Sequence, residues 1–169
     1  ALHEGAAQVK QAMALHAGTP RERAFIEALN TYYTDADNVA ADVRAERYAQ
    51  AMAKVAHDNP NDVEAQVFYA LSLVATASPS DRTHANLKKA GAILEPIYRA
   101  HPDHPGLAHY IIHAYDTPDL APRGLAAARA YAQIAPSVPH ALHMPSHIFT
   151  RLGYWSDSIT SNLAARKAA

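Results

Sequence analysis

His109-Tyr-Ile-Ile-His113 and His143-Met-Pro-Ser-His147 are the two stretches whose reading decides the fold of this 169-residue chain. Each sets two histidines four residues apart, a spacing that returns side chains to one face of an α-helix. The second pair follows the first by 34 residues, and the same step recurs around them. Ala90, Gly124 and Ser158 are small residues on that step, followed by Leu94, Ala128 and Asn162, and by Ile97, Tyr131 and Ala165. Pro102 and Pro136 share it, and Tyr115 returns as Phe149. Upstream, Pro60 precedes Pro102 by 42 residues, one period plus eight, which places an insertion near Thr76–His84. A period of this length with two helices per unit marks a helical repeat, in which small residues let helices approach and prolines close each unit.

Outward from these stretches, apolar residues recur at helical spacing and nothing alternates as a strand does. Leu2, Ala6, Val9 and Met13 predict a first helix ending near His16, with Gly18 as terminator. Thr19-Pro20-Arg21-Glu22 reads as a capping box with proline at the first helical position. The helix it opens carries Phe25, Leu29 and Tyr32, and the polar run beginning at Thr34 ends it. A third helix is expected over about 42–57 and a fourth over 63–77, the latter apolar on most sides (Val67, Phe68, Leu71, Leu73, Val74) as for an inner helix. Asp81 is the expected cap of a fifth helix with Leu87, Ala90, Leu94 and Ile97, bent at Pro96. Further helices are expected near 105–116, 120–135, 139–152 and 154–167. Pro145 predicts a kink, because the Ala141 carbonyl finds no N–H there.

Composition bounds the function. With 49% hydrophobic and 18% charged residues the chain is globular. Fifteen lysines and arginines against sixteen acidic residues give a net charge of -1, so no basic field invites nucleic acid. No apolar run approaches the ~20 residues of a membrane helix. The eleven histidines are the anomaly, and with no cysteine any metal must take nitrogen or oxygen ligands. The cysteine count leaves the compartment open. The start at Ala1, inside a helical pattern, reads as that of a processed product or a fragment.

The segment Arg151-Leu-Gly-Tyr-Trp-Ser-Asp-Ser-Ile159 resembles the turn between the two helices of a tetratricopeptide repeat, with Gly153 at the turn, Trp155 after it and small Ser158 at the helix contact. The resemblance runs from about Asp42 to the end. A closer similarity is to bacterial tetratricopeptide-containing proteins with stretches like His109-Tyr-Ile-Ile-His-Ala-Tyr-Asp116 and His140-Ala-Leu-His-Met-Pro-Ser-His-Ile-Phe149, a kinship that brings no reaction with it. It implies an all-α protein of the α-α superhelix type, a solenoid of antiparallel helix pairs. The expected organisation is one repeat domain over 1–169, part of a longer array, with repeats near 20–60, 63–102, 105–136 and 139–169. Three departures from the family pattern stand out: Asp119 where a turn glycine is usual, Pro145 inside a first helix, and the insertion near Ser78. In that family the first helix of each unit lines a concave groove. The resemblance therefore puts Gly106, His109, His113 and Asp116, and then His140, His143, His147 and Thr150, on the groove face.

The expected metal ligands are His109, His113, His143 and His147. Residues four apart stand ~6 Å apart along a helix, neighbouring helices pack ~8–10 Å apart, and imidazoles from four corners can then meet a centre needing ~2.0–2.1 Å bonds. Imidazole favours zinc, nickel, copper or cobalt, whereas the lack of clustered carboxylates disfavours calcium and magnesium. His140 and Asp116 are expected as fifth ligands or as groups that orient the ligands. Arg151, at the groove end, is expected to meet a ligand carboxylate or an internal one. Against this stands a plainer reading, in which duplication has copied a hydrogen-bonded packing histidine. The function expected is a binding scaffold with a peptide or protein in its groove. One version carries a divalent transition metal, another is a metal-free interaction module, and a third is a metal-dependent hydrolase. No catalytic residue is assigned, since there is no nucleophile elbow, phosphate loop or HExxH motif, and Ser146 points away from its neighbour His147. His101-Pro-Asp-His104-Pro reads as a turn. Tyr98, Tyr110, Tyr131 and Trp155 read as packing residues between helices.

Overall fold

A computed structural model describes residues 1–16 and 18–169. Among the described residues there are ten helical segments and no strand, and no helix is long and apolar enough to cross a membrane. The chain divides into two compact units, 1–79 and 80–169. The division, after Pro79, falls at the insertion, within the span 63–102 that the period assigns to one repeat.

The first unit holds α1 (Leu2–Ala14), α2 (Pro20–Tyr33), α3 (Ala41–Asp58) and α4 (Val63–Ala75), each packed on the next. The expected capping box opens α2: the Thr19 side chain accepts from the Glu22 amide, and the Glu22 carboxylate accepts from the Thr19 amide. Asp62 caps α4 by accepting from the Ala65 amide at 3.1 Å while pairing with Arg21. Ala28, Met52, Val55 and Ala65 form the core, with Phe25, Tyr48 and Tyr69 packed on it. Helix α4 is less enclosed than its composition predicts. Val67 and Leu73 are buried, but Phe68 is 37% exposed and meets the Phe25 ring edge-on.

The second unit holds α5 (Ala85–Ala100), α6 (Pro105–Ala114), α7 (Ala121–Ile134), α8 (Pro139–His143), α9 (Pro145–Arg151) and α10 (Trp155–Ala168). Here the period is visible in the backbone. Helices α6 and α8 begin 34 residues apart, α7 and α10 begin and end 34 apart, and α5 ends 34 before α7. Helix α6 packs between α5 and α7, α7 packs on α8 and α9, and these pack on α10. Consecutive packing of this kind is compatible with a helical repeat. Leu94, Leu107, Ile112 and Ile148 are fully buried, each worth about 1.5–3 kcal/mol of transfer free energy.

The small residues on the repeat step lie where the helices close. A methyl group on Gly124 would come within 2.9 Å of the Ile148 side chain. Ser158 is buried with its hydroxyl 2.9 Å from that of Thr150. Before Pro145 the helix is interrupted at Met144, between α8 and α9, although Met144 keeps helical backbone angles. Asp81 receives the Ala85 amide, as expected of a group closing the first turn of α5, although the residue next to that helix is His84 in the left-handed region. One expectation fails: Trp155 does not pack between helices but is 63% exposed, because α10 rests on α8 and α9 by its other face and leaves Trp155, Ile159 and Leu163 outside.

Candidate metal centre

Helix α6 presents His109 and His113 one turn apart, and their Nε2 atoms lie 3.0 Å from each other. His140, in the first turn of α8, reaches across so that its Nε2 is also 3.0 Å from that of His109. The three residues offer ligand nitrogens that all lie within 4.8 Å of one another. Two nitrogens bound to one tetrahedral ion at ~2.0–2.1 Å stand about 3.3 Å apart, and the two contacts made by His109 are within a few tenths of an ångström of that value. The His109 ring stacks nearly parallel to Tyr110, at 5.2 Å, and to Tyr131, at 5.6 Å. These contacts constrain the ring plane.

The four histidines that the repeat sets in register do not all enter this cluster. His143 and His147 form a pair of their own, Nε2 to Nε2 at 3.1 Å. They stand beside the first group, with ring centroids 6.3 Å apart for His113 and His147 and 6.4 Å for His140 and His143. The physical reason is stagger. Polar contacts from α6 and its following turn to the next repeat join His109 to His140 and Asp116 to His147, both 31 residues apart rather than 34. A shift of three residues is close to one helical turn. It brings His140, expected as a fifth ligand or orienting group, directly into the triad.

Asp116 and Arg151 belong to the second pair. The Asp116 carboxylate accepts from Arg151 Nε at 2.9 Å with one oxygen and meets His147 Nδ1 at 2.9 Å with the other. Burial alone would raise its pKa, but the hydrogen bonds from His147 and Arg151 outweigh that and hold it below the usual carboxylate range. Asn162 was visible in the sequence only as a position on the repeat step. Its Oδ1 lies 2.7 Å from His143 Nδ1. His104, within the turn reading, caps α6 by receiving the Leu107 amide on Nδ1.

No family model, curated protein or solved structure matches this chain. The site therefore rests on its own chemistry, which favours a soft-to-borderline cation. Burial, and then the like charges of His113, His140 and His147, push the His109 pKa down to about 4. Burial and His147 lower that of His113 against the opposing pull of Asp116. Both rings are thus neutral near pH 7, the form that binds metal. Three nitrogen donors and no carboxylate suit zinc, copper, nickel or cobalt rather than calcium or magnesium. They also leave a fourth tetrahedral position open.

Proposed function

We propose that this chain is a tetratricopeptide-like binding module whose second unit holds a divalent transition metal, zinc being the best match, through Nε2 of His109, His113 and His140. The observation that carries the reading is the approach of two imidazole nitrogens to 3.0 Å from a third, on a ring stacked against two tyrosines. Neutral rings so close gain at most one N–H···N bond per contact, whereas a shared cation satisfies every lone pair at once. The fourth position is open to water or to a side chain of a bound peptide, which makes the metal a point of attachment for a partner. Hydrolysis has less support, because Asp116, the nearest carboxylate in the cluster, is already engaged by His147 and Arg151.

Metal content tests this. Protein carrying no histidine tag, loaded with zinc and dialysed, should retain the ion. The double variant His109→Ala, His140→Ala should lose at least one equivalent; it truncates an exposed and a half-buried ring and should keep its helical circular dichroism. Equal retention by parent and variant would remove the triad from consideration.

A further inference from the structure

The pair outside the triad has its own logic, set by what lies behind each ring. Asn162 donates from Nδ2 to the Ser158 carbonyl at 2.9 Å, which fixes its amide orientation. Its Oδ1 therefore faces His143 Nδ1, and an amide oxygen only accepts, so His143 Nδ1 carries the hydrogen. His147 Nδ1 faces a carboxylate that also receives Arg151, and so it carries a hydrogen too. With Nδ1 carrying a hydrogen, a ring that holds no second proton presents a bare lone pair from Nε2. Those lone pairs point at each other across 3.1 Å. Such a contact repels unless a cation, either a second proton or a metal ion, sits between the two nitrogens. An Nδ1–H held by a carboxylate or an amide oxygen is the arrangement that orients an imidazole toward a metal and raises its basicity.

We infer that His143 and His147 form a second, separate site for a divalent transition metal, oriented by Asn162 and Asp116, beside the triad. The site stands on its own side chains and does not require the triad to be filled. Two protein nitrogens leave at least two positions of a tetrahedral ion to water or to an incoming ligand. The face formed by α6, α8 and α9 thus offers two neighbouring ions, a combination suited to gripping one carboxylate or phosphate-bearing ligand between them. Arg151 lies at the same edge, held on Asp116.

Zinc stoichiometry and affinity, measured on the untagged full chain by titration against a chromophoric chelator, decide the matter with three variants. The parent should bind two equivalents, His143→Ala with His147→Ala one, and His109→Ala with His140→Ala one. Asn162→Ala keeps both rings and leaves their packing intact. It should still bind two equivalents but weaken one of them by about 10–100-fold, the usual effect of removing a partner behind a ligand. One equivalent in the parent that survives loss of the triad and disappears with the pair would support this site while ending the triad reading. Overturning results are a pair variant that binds as much zinc as the parent, a single ion lost in both double variants, or no binding at all, the last meaning that a proton alone bridges the two rings.

Discussion

At His109, burial and the charges of His113, His140 and His147 act in one direction, and both keep the ring unprotonated. Its folded pKa is about 4 against about 6.5 for a free ring, so the unfolded chain takes up its proton first as pH falls. The stability this ring contributes is whole above pH 6.5 and is lost progressively as the solution is acidified toward pH 4. In the metal-free protein the His109 Hε1 resonance should titrate with a midpoint near 4, and the urea midpoint should drop between pH 7 and pH 5. A midpoint near 6.5 would show that the ring is neither desolvated nor crowded. In the sequence the i, i+4 pairs were legible because a helix has one geometry. The choice of His140 over His143 and His147 as partner of His109 was not. That choice depends on a 31-residue stagger between neighbouring helices, which a 34-residue period does not contain. Asn162 was hidden for a related reason: its importance comes from facing His143 on another helix, a contact seen only in three dimensions.

Among the elements, α5 and α6 meet at a contact that permits only glycine. A methyl group on Gly91 would lie 2.0 Å from the Tyr115 hydroxyl, and Tyr115 is fully buried with its hydroxyl donating to Glu95, which Arg123 also holds at 2.8 Å. Alanine would add about 1 kcal/mol of helix propensity. It would also overpack the contact at about 1–3 kcal/mol and dislodge a hydrogen bond to a charged group worth about 1.5–3 kcal/mol. Gly91→Ala should therefore destabilise the protein by roughly 1.5–5 kcal/mol in urea unfolding. A neutral or stabilised variant would mean that Tyr115 moves aside freely. Helix positions were read well from caps and prolines: the box at Thr19, the proline starts of α2 and α6 and the break before Pro145 all follow from single residues. Exposure was read less well. Trp155 has the spacing of a packing residue, but spacing says which residues share a face and not whether anything covers it.

On the scale of the molecule, the 34-residue cadence holds through the second unit and gives way upstream, where α3 ends 42 residues before α5. The insertion that lengthens that interval also marks the division after Pro79. Each unit has its own buried residues, Met52 and Val55 in the first, Leu94, Ile112 and Ile148 in the second. All the proposed metal ligands lie in the second. Met52→Ala, at a fully buried site, should cost about 2–5 kcal/mol. It should leave the metal content of the folded protein unchanged, as measured by elemental analysis at 10 °C; metal lost along with that core would show that the ligand geometry depends on the first unit.

The central claim is that three imidazoles share one ion, and anomalous diffraction at the zinc edge from crystals of the loaded, untagged protein tests it most directly. The account predicts a peak about 2.0–2.1 Å from Nε2 of His109, His113 and His140 together. An empty cluster, with zinc found only elsewhere, would contradict it.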